Sequence, residues 1–182
     1  GARVADWCIQ VFRDHPAIGP IIVVVHPDDA AEAAGLEGVQ TVHGGASRDA
    51  SVCAGLNALQ GQDIEHVLIH DVARATLPAQ IITDVLAALH SHQGAAPALP
   101  VTDALWRGAK AQVTGTQDRE GLFRAQTPQG FHYAAILAAH HAHSGPAADD
   151  VAVARAAGID VAIVAGDETN LKITTPGDFA RA

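Results

Sequence analysis

VLIHDVARA, residues 67–75, decides how this chain reads. Val67-Leu68-Ile69 has the aliphatic, β-branched character of a buried strand. The run stops at His70-Asp71, and Arg74 follows three positions after the acid. Such an ending fits an open α/β sheet, in which ligands sit at the carboxyl ends of strands. An aspartate there is costly to shield from water unless a cation or metal faces it. Position alone leaves two readings. Asp71 could hold a hard divalent ion while Arg74 holds a phosphate, or the two form a plain turn pair.

Outward from this stretch, strands alternate with helices. Residues 21–29 (IIVVVHPDD) and 39–45 (VQTVHGG) read as strands that break into polar turns. Ser47 to Leu59 reads as a helix with Ser47 as its N-cap, and Pro78 to His90 as a second, with Ile81, Ile82, Val85 and Leu89 on one face. Residues 95–101 predict another strand. Residues 102–127 are polar and glycine-punctuated, with a short extended piece at 113–116, and read as a hairpin arm. Helices are expected over 131–143 and 149–157, strands over 161–166 and 170–174, and a last helix from Thr175. The pattern predicts an α/β fold: a Rossmann-like, mostly parallel sheet with helices on both faces plus the arm, all one domain over 1–182.

Composition narrows the function classes. Of 182 residues, 48% are hydrophobic and only 4% aromatic, so small aliphatic side chains must build the core. The net charge of −9 and the scattered lysines and arginines argue against a nucleic-acid polymer or an anionic membrane as partner. Cys8 and Cys53 are too few for a disulfide framework, which makes the reducing cytoplasm the expected compartment. The sequence holds no methionine and opens on Gly-Ala-Arg, which reads as a fragment.

Other candidates are weaker singly. Gly44-Gly45 joins a strand to a helix whose first turn, with Ser51, could meet an anion or a base edge, or simply make a turn. Arg119 sits on the arm and fits a surface role equally well. Thr127-Pro128 is a turn signature. Lys172 interrupts Leu171-Lys172-Ile173 and could merely alternate outward. His140, His141 and His143 lack a suitably spaced acid for a metal site.

Taken in order, these pieces resemble one family, the 2-C-methyl-D-erythritol 4-phosphate cytidylyltransferases. Gly44-Gly45-Ala46-Ser47-Arg48-Asp49-Ala50-Ser51-Val52 is similar to its Gly-Gly-x-x-Arg-x-x-Ser-Val segment. His70-Asp71-Val72-Ala73-Arg74 resembles His-Asp-Ala-Ala-Arg, and Pro100-Val101-Thr102-Asp103 resembles Pro-Val-x-Asp. Asp118-Arg119-x-Gly121-Leu122 with Gln126-Thr127-Pro128-Gln129, then Asp149-Asp150 and Asn170-Leu171-Lys172-Ile173-Thr174-Thr175-Pro176, complete the match from about residue 16 onward.

The resemblance implies transfer of a cytidylyl group from CTP to methylerythritol phosphate with release of pyrophosphate; ribitol 5-phosphate is the alternative acceptor, and a non-catalytic nucleotide-binding or dimerisation module the alternative class. It implies Asp71 at Mg²⁺, with Arg74 alongside. Gly44, Gly45 and Ser51 are expected at the cytosine, Arg119 and Thr127 at the acceptor, and Lys172 beside the reacting phosphates. It also implies a homodimer in which the 102–127 arm carries Arg119 to a neighbour's site. The family's opening strand and glycine-rich loop have no counterpart in this sequence, so the sheet is expected to lack a central member and residues 1–182 alone to be poorly active. Ala75, Ala104 and Ala148 stand where the family carries proline, threonine and threonine.

Overall fold

The β-branched runs become short strands that fall into separate sheets in the computed structural model, which describes residues 3–182. The chain begins with a helix, α1 (Val4–Arg13), then β1 (Ile22–Val25), a four-residue helix α2 (Ala30–Ala33), β2 (Gln40–His43) and α3 (Arg48–Asn57). Next come β3 (His66–Ile69), α4 (Ala79–Leu89), β4 (Gly94–Pro100), β5 (Leu105–Ala109), β6 (Gln112–Gln117), β7 (Phe123–Ala125) and β8 (Gln129–His132). The last elements are α5 (Tyr133–Ala142), α6 (Asp150–Ala156), β9 (Val161–Ala165) and a 3-10 turn over Pro176–Ala180.

β1 and β2 pair in parallel, Val25 opposite His43. A five-stranded sheet holds β3, β8, β4, β7 and β9. β8 runs antiparallel to both β3 and β4, so β3 and β4 point the same way. β9 joins β4 in parallel, and β7 pairs with the Ala98–Pro100 end of β4. Helices cover both faces. Leu56, Phe131, Ile136 and Val153 form one core with α3, α5 and α6. Phe12, Ile82, Val85 and Leu89 form the other with α1 and α4. Gly130 lets these layers close, because a Cβ there would stand 2.5 Å from Val85.

β1 and β3 share no ladder. Their unpaired edges line one cleft of about 820 Å³, together with Ser51, Gly55 and Leu56. The β1–β2 pair and the five-stranded sheet are thus separate, with this cleft between them.

Several expected elements shift. Residues 170–174 form no strand, because side chains and distant backbone take their polar groups: Arg74 and Gln126 both donate to the Asn170 carbonyl, and Ile173 N–H donates to Ala73. The last helix is only a five-residue 3-10 turn, too short to sustain an α-helical nucleus. Phe131 belongs to β8, and helix α5 starts two residues later. The hairpin proper is β5–β6. Residues 123–125, expected on the arm, return to the main sheet, and Gln126 and Thr127 are buried there. At the hairpin tip Lys110 and Ala111 have φ of 49° and 61°, the left-handed pair of a type I′ turn. Helix α1 had no sequence expectation, although Cys8, Ile9 and Phe12 mark its buried face.

Candidate active site

Two turns that follow strands reach the cleft, one through Ser51 and the other through Asp71. At the first, β2 runs into Gly44-Gly45 and then α3. Ser47 caps α3 by accepting the Ala50 N–H at 3.1 Å. Ser51 Oγ accepts the Gly45 N–H at 3.1 Å and donates to the Ser47 carbonyl at 2.9 Å. The glycines are sterically required: a Cβ on Gly45 would lie 2.4 Å from Ala50 Cβ, and one on Gly44 2.7 Å from Ser51 Oγ. The result is a helix N-terminus folded back on its own turn, with Ser51 on the cleft wall.

At the second, β3 ends at His70-Asp71. Asp71 Oδ2 lies 3.1 Å from Lys172 Nζ and 3.7 Å from Arg74 Nε. Asp71 lines the same cleft as Ser51. Arg74 is 11% exposed, and its guanidinium is mostly committed to backbone: Nη1 donates to Asn170 O at 2.6 Å and Nη2 to Ala125 O at 3.4 Å. Burial pushes its pKa down and Asp71 opposes that. Arg74 therefore ties down the loop that carries Lys172. Gln126 completes the tie, donating to the carbonyls of Asp167 and Asn170 at 2.8 and 3.1 Å and accepting Asp167 N–H at 3.1 Å. Asn170, fully buried, donates to the Thr127 carbonyl at 2.8 Å. Lys172 itself stays about half exposed, free to meet a ligand.

Thr127 sits between the two chains of this network. Its Oγ1 accepts the Asp71 N–H at 3.1 Å and lies 2.9 Å from His70 Nδ1. His70 Nε2 lies 3.3 Å from the Arg74 carbonyl. Burial pushes the imidazole pKa down to about 4, so the ring is neutral at ordinary pH.

A buried ionic group joins the two strand ends. Asp150 is fully buried and receives Arg48 through both oxygens, at 3.2 and 2.5 Å, and His140 Nε2 at 3.2 Å. Burial alone would raise the Asp150 pKa, but the hydrogen bonds from His140 and Arg48 hold it below the usual carboxylate range. Gln129 Oε1 accepts the Asp150 and Val151 N–H groups, and its amide donates to Asp149 at 2.9 Å. Arg48 lines the cleft from α3 while Gln129 belongs to β8, so the group bridges the two sheets.

The structure thus brings together Asp71, Arg74, Lys172 and Thr127, with Ser51 on the same cleft as Asp71 and Thr127. Arg119 is elsewhere: within the chain its guanidinium donates to the Thr102 carbonyl at the base of the arm. His141 and His143 are dispersed, the first on Asn57 at 3.0 Å and the second on Gly145 at 3.1 Å. Sequence reasoning assigned no role to His70, Arg48, Gln126, Asn170 or Asp150. Each lies within a stretch that resembles a family motif, and that membership is the signal that could have found them. Among the described residues no group of three His, Cys, Asp or Glu could hold a metal alone. Asp71, a quarter exposed, fits a hard ion that draws most of its oxygens from phosphate and water.

Comparison with known proteins shows the family. The family model "2-C-methyl-D-erythritol 4-phosphate cytidylyltransferase" matches residues 1–182. A cytidylyltransferase of that name from Cereibacter sphaeroides is 58% identical over 187 residues, spanning 100% of this chain and 83% of the relative. A bifunctional enzyme IspD/IspF from Rhodobacter capsulatus is 60% identical over 175 residues, 95% of this chain and 46% of the relative. A crystal structure of 4-diphosphocytidyl-2C-methyl-D-erythritol synthase superposes with a TM-score of 0.89 at 29% identity, covering all of this chain and 88% of that one. The Thermus thermophilus cytidylyltransferase gives 0.86 at 33% identity with the same coverage. On these matches, the chain belongs to the 2-C-methyl-D-erythritol 4-phosphate cytidylyltransferase family.

Proposed function

We propose that this protein transfers the cytidylyl group of CTP to 2-C-methyl-D-erythritol 4-phosphate and releases pyrophosphate, a step of isoprenoid synthesis. The observation that carries the reading is the Lys172–Asp71–Arg74 group, whose Asp71 lines the same cleft as Ser51 at the start of α3. A phosphate oxygen of the acceptor attacks the α-phosphorus of CTP, and the bond to the bridging oxygen of pyrophosphate breaks. The nucleophile is already anionic, so no strong general base is required. The barrier falls by positioning and by charge neutralisation.

The Lys172 ammonium, held by Asp71, neutralises negative charge on the phosphates. The α3 N-terminus, with Gly44, Gly45 and Ser51, offers backbone and hydroxyl groups of the size and polarity to read the cytosine edge. Asp71 would hold Mg²⁺, which when bound supplies charge neutralisation at the triphosphate. Arg74 serves by fixing the Lys172 loop. Arg119 acts on the acceptor in a neighbouring subunit of a homodimer. The arm suits that role, because Trp106 and Val113 are 69% and 57% exposed on it and the adjoining Phe123 47%. The compartment is the cytoplasm, where the free Cys8 and Cys53 stay reduced.

The test is pyrophosphate release by the intact protein with CTP, Mg²⁺ and methylerythritol phosphate, beside a parallel reaction with ribitol 5-phosphate. Release with the first acceptor at much the higher kcat/KM is expected. Absence of release, or preference for ribitol 5-phosphate, overturns the assignment.

A further inference from the structure

We infer that His66, His132 and His90 form an acid-sensitive clasp: when the group takes up protons, the pairing of β3 with β8 loosens, and with it the hold on the Asp71 turn that β3 carries.

The clasp lies at the end of β3 opposite Asp71. His66 opens β3 and stands directly across from His132, the last residue of β8. The backbone bonds tell which kind of pair this is. Tyr133 N–H donates to the Glu65 carbonyl at 2.9 Å, whereas His132 N–H turns away to the Gln93 carbonyl at 3.1 Å. By the alternation of antiparallel bonds, His66 and His132 are then the narrow pair without a backbone bond, in which side chains stand closest. Their ring centroids are 4.6 Å apart, and His90, the C-cap of α4, sets its ring 6.5 Å from that of His66. The His66 side chain is 16% exposed, and its Nε2 is buried with no hydrogen-bond partner among the described residues. His132 Nε2 faces the Leu89 carbonyl at 3.2 Å, so that nitrogen carries the ring proton.

A proton added here meets more opposition than help. The charged and titratable groups around His66 are Glu65 beside it, His132 on β8, His90 at the end of α4 and, on the same cleft, Asp63. Burial lowers the His66 pKa below its ordinary 6.5; Glu65 raises it, and His132 and His90 lower it. Glu65 Oε1 is 3.9 Å from Nε2, but its carboxylate is 80% exposed and screened by water. The C-terminal carbonyls of α4 favour a cation, yet His132 already occupies that of Leu89. Two imidazolium groups directly opposite across a strand pair repel. The sign follows from the lowered value: near pH 6 the native state binds fewer protons than the unfolded chain. The stability that His66 contributes is complete above pH 6.5 and is lost as pH falls from there to the lower native value. β3 is only four residues long, and its far end pairs Ile69 with Gln129 just before the Asp71 turn, so little ladder separates the clasp from that turn.

Three variants test this. H132Q keeps an N–H for the Leu89 carbonyl and cannot take a charge. H66F keeps ring bulk, and H90Q changes an exposed position. In histidine-ring NMR titrations, the signal that H66F removes should have a midpoint below 6.5 in the wild type. That midpoint should rise in H132Q and, by less, in H90Q, because the rings titrate as a coupled group. Amide exchange over residues 66–69 and 129–132, corrected for intrinsic rates, should show about tenfold loss of protection relative to β9 between pH 7.5 and 5.5 in the wild type, and little in H132Q. Over the same range the ratio of wild-type to H132Q pyrophosphate release should fall about threefold, substrate ionisation cancelling in the ratio.

A His66 midpoint at or above 6.5, a midpoint unmoved by removal of the neighbouring rings, exchange that changes alike in wild type and H132Q, or a constant activity ratio overturns the inference. Should H132Q fail to fold, H90Q at its exposed site carries the same comparison. If the wild type releases no pyrophosphate at any pH, the transfer reading fails, and the titrations and exchange still decide whether the clasp responds to acid.

Discussion

The two turns at the cleft are built by opposite means. The Gly44–Ser51 turn is held largely by bonds between residues three to six positions apart, such as Ala50 to Ser47 and Gly45 to Ser51, with Gly44 N–H on the Val25 carbonyl and Arg48 on Asp150 as distant anchors. The Asp71–Arg74 turn is held by partners 51 to 96 positions away, at Ala125, Thr127 and Asn170. The first turn takes its shape from local chemistry: a capping serine and two glycines that tolerate close approach. The second exists only once β8 and the 166–173 loop have packed against β3. A ligand that needs both turns therefore depends mainly on distant packing at one end and mainly on local bonds at the other.

The largest effect tests whether the distant-built turn carries the chemistry. Lys172→Ala should lower kcat for pyrophosphate release by about 10²–10³, the cost of removing one preorganised charge at a transition state. Its Tm should change little, since Lys172 is about half exposed. Asp71→Asn should match it in direction and also weaken the dependence on Mg²⁺. Full activity in Lys172→Ala would leave the Asp71 cluster a structural tie and break the comparison.

Next in size is the joint between the turns. Asp150→Asn leaves Arg48 without its carboxylate and should destabilise the fold by about 2–3 kcal/mol at neutral pH, less than a fully buried pair because Arg48 reaches solvent. The native carboxyl titrates below its ordinary value of 3.8, so its contribution is complete above the unfolded-state pKa and fades as pH falls through the lower folded-state value. Urea titrations should show the gap between wild type and Asp150→Asn shrinking below about pH 4. A gap constant down to pH 2 would mean the carboxylate is not the source.

This contrast also explains what was legible beforehand. The strand at 66–71, the helix capped by Ser47 and the α4 face could be read because their signals are periodic or local. The recurrence of Asp71, Arg74 and Lys172 in one family-like order marked them as a group. Their division of labour was not readable. Arg74 looked like a phosphate ligand, yet its guanidinium serves the carbonyls of Asn170 and Ala125, acceptors whose positions only tertiary packing sets. The 170–174 strand failed for the same reason: residues with strand propensity were pinned by side chains from the segments that follow β3 and β7, not by a neighbouring ladder. Residues 123–132 read as arm, turn and helix because β7 and β8 are three and four residues long, too short to show a period.

The locally built turn offers smaller effects and a cleaner test. Gly45→Ala puts a methyl 2.4 Å from Ala50 Cβ, so either the turn or the first turn of α3 must shift. A destabilisation of about 1–3 kcal/mol is expected, with a raised KM for CTP and little change for the acceptor. Ala50→Gly in the same chain should return much of both, because it removes the atom met. Recovery of stability without recovery of the CTP KM would show that backbone shape at Gly45, not space, sets nucleotide binding.

The smallest effect is at Ser51. Ser51→Ala removes the acceptor for Gly45 N–H and the donor to the Ser47 carbonyl. Both groups lie at an exposed loop where water can replace the hydroxyl, so the stability loss should be only about 0.5–1.5 kcal/mol. If the hydroxyl also touches the cytosine, KM for CTP should rise more than the stability loss accounts for, and Ser51→Thr should restore the hydrogen bonds without restoring KM, since its extra methyl enters the cleft. Equal behaviour of Ala and Thr in KM would assign base recognition to the Gly44-Gly45 backbone alone. The locally built turn would then read the cytosine through its backbone, while the distant-built turn places Asp71 and, through Arg74, the Lys172 loop.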